Sequence, residues 1–373
     1  MGSVRFFGGK YSFRFILLFR GTYVKRLSFL PHTRGENGLS GRVLVNSMPL
    51  IAESVGYKAK KALQNSRTES KIHSVFDHTF YIEVNENRLI NVITTISYMS
   101  STSVLIKNTK MKSFKLLNIK EGMQVTADDS NIVIGNKLAA IRLDGSSTYS
   151  KRRVPKKESL ESFSVIGLNL RVLRDEIYKC RSRDGLVDVL EKVETAGPLS
   201  LFLKPQEISL SERARPYIER LMWGLYLGDS GMVLSNAQSL LGLGPGLTPS
   251  CDDFLAGLLM SLNFAGKVLL KDLKKEKQFY KMISNQIYTS AKSKTTIYSL
   301  NNLEGACHGE GPDAAVDLIV GLLTKDANQV ANCTRIVLKI GETTGADIAI
   351  GVYYGIRYLI SRLDRIEGYD EIA

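Results

Sequence analysis

The feature that most constrains the fold of this chain is a change of hydrophobic period near residue 165. Before it, "HSVFDHTFYIEV" (73–84), "RLINVITT" (88–95), "SVLIKN" (103–108), "SFKLLNI" (113–119), "MQVTADDSNIVIG" (123–135) and "KLAAIRLD" (137–144) are short and rich in Val, Ile, Thr and aromatics. Turn residues such as "NEN", "KEG" and "DDSN" separate them, the pattern of strands in a small sheet. After it, "LNLRVLRDEIYKC", "DGLVDVLEKVETAG" and "ERARPYIERLMWGLYLG" carry apolar residues at helical spacing. Further helices are predicted near 231–241, 252–264, 272–289, 295–307, 312–324, 327–339 and 345–363. The expected class is α+β: an N-terminal, mainly antiparallel β sheet or barrel domain, then a predominantly α-helical C-terminal domain.

A length of 373 residues exceeds one ordinary core and favours two domains. The expected division is a basic extension over 1–47, a β-rich domain over 48–148, a basic linker over 149–164 and a helical domain over 165–373. The extension reads as disordered or as preceding a natural start at Met48, because "PLIAESVGYKAKKAL" is the first stretch with helical periodicity, a short helix at about 49–64. The linker "SSTYSKRRVPKKES" holds Pro155 and a charge run that discourage regular structure.

The net charge of +13 invites a nucleic-acid partner until its location is considered. Residues 1–47 contribute +7 and "KRRVPKK" another +5, leaving 37 basic against 36 acidic residues in the body. A basic binding face across the fold is not expected, so no nucleic acid is. No apolar run reaches the roughly 18 residues of a membrane span, and "FILLF" is too short for an export signal. Cys180, Cys251, Cys307 and Cys333 show no C-x-x-C pairing, which fits free thiols in a reducing cytoplasm.

The chemistry concentrates in "GLGPGLTPSCDD" (242–253). With Ser250 as N-cap, Asp253 falls at N3 and the two form a variant capping box. Thr344 and Asp347 in "GETTGADIAIGVYYGI" repeat the plan, and Gly257 and Gly351 follow their aspartates by the same four residues. Capping would account for these pairs with no function at all, at about 1 kcal/mol per helix. It leaves Gly242, Gly244, Pro245, Gly246, Pro249 and Asp252 unexplained. A tight loop exposing its backbone N–H groups would explain the glycines. Such a loop and the helix dipole favour an anion, yet like charges about 4 Å apart at an effective dielectric near 20 cost roughly 4 kcal/mol. Three resolutions are open: a bridging Mg²⁺ held by Asp252, carboxylates turned into caps, or a substrate bearing an amide NH₂ donor. The loop lacks the G-K-[ST] ending of a Walker motif.

The stretch "LGLGPGLTPSCDDFLAGLL" resembles the signature G-L-G-x-G-L-T-P-S-G-D-D-x-L-x-G of the AllH family, a subunit of oxamate carbamoyltransferase in anaerobic allantoin and purine degradation. The resemblance extends to "KIHSVFDHTFYIEV", "TTIYSLNNLEGACHGEG" and "GETTGADIAIGVYYGI", and so from about Met48 to the C-terminus. It implies carbamoyl chemistry, in which carbamoyl phosphate and oxamate exchange with oxalurate and phosphate in an assembly with other carbamoyltransferase subunits. On that resemblance Gly244, Gly246, Leu247, Thr248 and Ser250 would bind a small anionic amide or carbamoyl substrate. Asp252 and Asp253 would contact its amide or a metal, Thr344, Gly345 and Asp347 would form the facing wall, and Asp252, Asp253 and Asp347 would be the catalytic carboxylates. Cys251 stands where the family usually has Gly, a departure that bears on substrate identity.

Thr295, Thr296 and Ser299 share one side of a predicted helix and could reach the same pocket, although small hydroxyls at helix starts are usually caps. His73, at a strand start, reads more readily as structural than as catalytic. His78 is expected to be exposed, and His308 to complement a helix C-terminus as a cation. A dyad of Asp77 or Asp313 with these histidines has no support in the spacing. Cys251 as a nucleophile would gain from the helix N-terminus and lose to two neighbouring aspartates. Tyr353 and Tyr354 read as core. The rival functional readings are a non-catalytic binding or scaffold subunit and an Mg²⁺-nucleotide enzyme.

Overall fold

The computed structural model describes residues 50–65, 70–84, 88–107, 113–180, 184–191, 209–270 and 273–370. The basic extension expected over 1–47 lies outside them.

Alternating burial along the chain builds the first layer. Strands β1 (Leu50–Gly56), β2 (Ser70–Val75), β3 (Thr79–Val84), β4 (Arg88–Ile93), β5 (Ser103–Ile106), β6 (Gln124–Ala127), β7 (Asn131–Ile134) and β8 (Ala139–Arg142) hydrogen-bond in the order β5-β4-β3-β2-β6-β7-β8-β1. Pairing of β1 with β5 closes this mixed eight-stranded barrel, and β9 (Ser147–Tyr149) continues along β1 beyond β8. Closure removes the exposed strand edges that an open sheet would present. Phe80, Ile82 and Val84 on β3, with Ile72, Ile90, Val92, Ile132, Ile134 and Ile141, fill the interior. Helix α1 (Tyr57–Asn65) buries Ala59, Ala62 and Leu63 against the same core.

Two expectations fail here. Residues 50–56 form β1 rather than the first turns of a helix. A register shift between Ala52 and Ser54 opposite β5 leaves Leu50, Ala52, Val55 and Gly56 buried, a mixture of spacings that imitates a helical stripe. The stretch "SFKLLNI" is a 3₁₀ turn at Phe114–Leu117, not a strand. Phe114 plugs the barrel against Phe80 with ring centroids 4.9 Å apart, which demands a turn at that point.

The helical part comprises α2 (Phe163–Tyr178), α3 (Val187–Glu191), α4 (Leu210–Leu227), α5 (Ser230–Leu240), α6 (Ser250–Phe264), α7 (Gly266–Leu269), α8 (Lys274–Ala291), α9 (Ile297–Cys307), α10 (Asp313–Thr324), α11 (Ala327–Val337) and α12 (Thr344–Asp370). Local chemistry sets several starts: a Ser209/Glu212 capping box opens α4, and Asp229, Thr296 and Asp326 cap α5, α9 and α11. None of the described helices is long and apolar enough to cross a membrane.

Every residue of α6 except Asn263 is buried, which makes it the central element of the helical core. Its principal neighbour is α12. A Cβ at Gly257 would run into the Ile348 carbonyl and a Cβ at Gly351 into the Phe254 carbonyl, while one at Gly355 would meet Ser261. Contacts thus advance together along both helices, which run in the same sense. Ile348 and Phe254 each follow their aspartate by one residue, so the echoed sequence pattern is a local two-fold relation. The glycines admit each other's backbone, not a ligand.

The barrel and the helices share fixed contacts. Asn301 on α9 accepts from the Leu89 N–H at 3.0 Å, and the Asp313 N–H donates to the Met99 carbonyl at 2.7 Å. The basic stretch after β9 is pinned: Lys151 pairs with Glu310 at 2.7 Å, and Arg152 with Asp313 at 2.8 Å and Asp317 at 2.9 Å.

Candidate functional site

The loop between α5 and α6 owes its shape to three glycines with positive φ, Gly242 at 77°, Gly244 at 129° and Gly246 at 93°, a region that side chains disfavour. Space forbids side chains at two of them as well. A Cβ at Gly242 would strike the Lys294 carbonyl, and one at Gly244 would stand 2.7 Å from the Ser250 nitrogen.

Much of the loop's donor capacity is spent internally. The Gly242 N–H donates to Asp252 Oδ1 at 2.8 Å, and the Cys251 N–H to the Leu243 carbonyl at 3.1 Å. The Asp252 and Asp253 N–H groups both donate to the Pro249 carbonyl. The expected cradle of exposed donors is therefore not formed by these residues, and the exposed part of the loop is its tip at Pro245, Gly246 and Leu247. Leu247 is 46% exposed at its tip.

The capping boxes expected at Ser250/Asp253 and Thr344/Asp347 do not form. Helix α6 starts after Pro249 with no side-chain cap. Asp253 Oδ2 instead accepts from Thr248 at 3.0 Å, and Thr248 Oγ1 lies 3.2 Å from Thr344 Oγ1, so the two helix starts meet through these hydroxyls. Asp347 leaves its own helix and accepts from the Leu186 N–H at 2.8 Å. A Cβ at Gly185 would press on its carboxylate at 2.6 Å, which explains a glycine there.

All three aspartates are buried to 1% exposure or less, and they point different ways. Asp252 faces Gly242 and Thr295, whose hydroxyl donates to Oδ2; Asp253 faces Thr248 and Thr344; Asp347 faces Leu186. Burial raises every one of these carboxyls, because the charged form loses water. For Asp252 the rise is opposed by Thr295, Gly242 and the nearby Ser299 hydroxyl. Asp253 is held well above the usual carboxylate range by burial and then by the adjacent Asp347 charge. Asp347 is pushed up to about 6 by burial, with the Leu186 N–H and the Ser250 and Thr343 hydroxyls opposing. These shifts weaken the electrostatic objection to an anion at this loop, because burial and the Asp347 charge tilt Asp253 toward its neutral form.

Thr296 caps α9 by accepting from the Ser299 N–H at 3.2 Å and donates to the Leu247 carbonyl at 2.5 Å, which ties α9 to the loop. Ser299 itself is buried beneath. Gly345 is a packing residue, since a Cβ there would run into the Val337 carbonyl. Cys251 is fully buried, and burial followed by the Asp347 and Asp252 charges pushes its thiol far up, which removes it as a nucleophile. Both oxygens of Asp252 already accept protein hydrogen bonds, and among the described residues no group of three or more His, Cys, Asp or Glu is placed to hold a metal ion.

The barrel supplies a wall that sequence reasoning missed. Tyr298 on α9 hydrogen-bonds Ser74 at 2.8 Å and His73 Nδ1 at 3.1 Å, and its ring meets that of Tyr81 edge-on at 4.9 Å. Burial, then the Tyr298, Tyr98 and Asp253 groups, raise the Tyr81 phenol to about 12. Tyr98 accepts from the Gly341 N–H at 2.7 Å, just ahead of α12. His73, Tyr81 and Tyr298 thus form one half-buried aromatic cluster where the barrel meets α9, and Tyr98 ties the barrel to the turn ahead of α12. The signal was available in "HTFYIEV", where Tyr81 alternates with the core residues Phe80 and Ile82.

The other histidines lie elsewhere. His78 is exposed. Burial and the Lys58 charge lower the His308 imidazole, which works against the cationic role expected at the end of α9. Asp77 is engaged by Ser113 and Lys115, and Asp313 by Tyr149 and Arg152, so neither serves a histidine.

Comparison with known families gives two matches. Residues 240–356 match the family described as "Oxamate carbamoyltransferase subunit AllH", and residues 51–148 match the "AllH family N-terminal domain". No solved structure matches the chain.

Proposed function

We propose, from the premise that this chain belongs to the AllH family, that it is a carbamoyltransferase subunit whose substrate surface is the rim between the barrel and the starts of α6 and α12. One observation carries the reading: the two family-matched stretches, 51–148 and 240–356, meet where the Tyr81 ring lies edge-on against Tyr298, and within the second stretch Thr248 joins Asp253 and Thr344 at the two helix starts. A small carboxylate-amide of the oxamate or oxalurate type suits that surface. Its carboxylate would take the outward N–H groups of Gly246 and Leu247, and its amide NH₂ would donate to Thr248 or Asp253. Asp253, favouring its protonated form, would hold a proton against a carbamoyl oxygen instead of repelling it.

The sequestration of Asp252, Asp347 and Cys251 supports a division of labour in which this chain binds and orients the substrate and other carbamoyltransferase subunits complete the transfer. Thermal-shift titration of the purified chain with carbamoyl phosphate, oxamate and oxalurate tests the reading. At least one should raise the unfolding temperature, and Thr248→Val should weaken that ligand about tenfold. Turnover only after addition of partner subunits would support the division of labour. Absence of stabilisation by all three, or full binding by Thr248→Val, would overturn the site.

A further inference from the structure

A cleft of about 460 Å³ opens between α2 and α12, well away from the rim. Tyr353, on its wall, follows Thr344 by nine residues, about 13 Å at 1.5 Å per helical residue. The cleft's polar wall is three guanidinium groups: Arg171 and Arg174, one turn apart on α2, and Arg357 on α12. Its apolar wall is Leu170, Tyr353 and Tyr354, the tyrosine pair that the sequence suggested as core.

The charges in this concavity are incompletely balanced. Arg174 has the Asp175 carboxylate at 3.5 Å. Among the described residues Arg171 and Arg357 have no carboxylate within ion-pair distance, and the Arg357 guanidinium rests 6.0 Å from the Tyr353 ring centroid. Three guanidinium groups around one hollow repel each other and focus a positive potential into it, which a bound anion relieves. Setting Arg174 aside as engaged, Arg171 and Arg357 leave two positive charges, matched by a group carrying about two negative charges on one centre. A phosphate monoester is such a group, and its oxygens fit the guanidinium fork pairwise. The volume far exceeds that of a bare phosphate and lies in the range of small-molecule pockets. The occupant therefore carries an organic body that packs on the tyrosines and Leu170.

We propose that this cleft binds a small organic molecule bearing phosphate, at a place distinct from the rim between the helix starts. Arg171 and Arg357 both lie on the exposed side of their helices, so replacing them leaves the core intact. The test is calorimetric titration of the full chain, without divalent metal, with ADP, pyrophosphate and citrate as probes. ADP should bind most tightly, Arg171→Ala/Arg357→Ala should weaken it at least tenfold, and Thr248→Val should leave it unchanged. Unaltered far-UV circular dichroism would show that the double variant is folded. The proposal is overturned if ADP does not bind, if the double variant binds it as the parent does, or if pyrophosphate or citrate matches it. These results are independent of binding at the rim.

Discussion

Replacing Glu310 by Gln probes the charge network that fastens the barrel to the helices. Glu310 is 7% exposed and lies just beyond α9. It accepts from Tyr57 Oη at 2.9 Å and pairs with Lys58 at 3.0 Å, both from the barrel side, and with Lys151 at 2.7 Å from the stretch after β9. Burial alone would push its carboxyl up, but Lys151 and Lys58 prevail and hold it down at about 2. The difference from the ordinary 4.5 is worth at most about 3 kcal/mol of folding stability. Both lysines are about one-third exposed, so solvent screening reduces the expected contribution to roughly 1–2 kcal/mol. Because the folded carboxyl is depressed, this contribution is complete above about pH 4.5 and is lost as pH falls toward 2. Urea unfolding followed by circular dichroism should find Glu310→Gln less stable by roughly 1–2 kcal/mol at pH 7. The gap should shrink from about pH 5 downward, by more than half near pH 3. A gap that stays constant across that range, or a variant as stable as the parent at pH 7, would refute the assignment.

Asp347→Asn carries the opposite sign. Its carboxyl is raised to about 6 against an ordinary 3.8, so the ionised form costs the fold stability as pH rises between those values. Asn retains the acceptor for the Leu186 N–H, and the variant should be more stable than the parent by roughly 1–3 kcal/mol above pH 6, with no gain near pH 3; a loss at neutral pH would contradict this. Gly351→Ala should cost more than about 3 kcal/mol in thermal unfolding, since its Cβ meets the Phe254 carbonyl and backbone cannot yield cheaply. Gly246→Ala, with nothing within 4 Å but a φ of 93°, should cost only about 1–2 kcal/mol. Equal costs at the two glycines would show that the α6–α12 crossing is not close.

Apart from the short α7, which the sequence did not suggest, the helices from α4 onward were legible because their apolar residues repeat within one element, and α4, α5, α9 and α11 carry a Ser, Asp or Thr cap at their starts. The hairpins β2–β3 and β6–β7 were legible for the same reason at period two, and "DDSN" forms a turn in which Asp128 accepts from the Ser130 and Asn131 N–H groups. β1 was not, because its bulge breaks the alternation and its burial depends on three partners distant in the chain. At the candidate site the glycines of the loop and the carboxylates after it were conspicuous as residue types. The tyrosines opposite were not, since an aromatic in a strand reads as core whichever way it faces.

Local pattern alone determined the α+β class, the two echoed helix beginnings and the places where only glycine suffices, because turns, caps and periodicity act over a few residues. Where those beginnings go was decided by packing. Glycine-to-carbonyl contacts bring α6 and α12 together in the same sense, send Asp252, Asp253 and Asp347 to three different partners, and set Thr248 against Thr344. Contacts between residues about a hundred positions apart leave no periodic trace in the chain, so only the assembled core could reveal them.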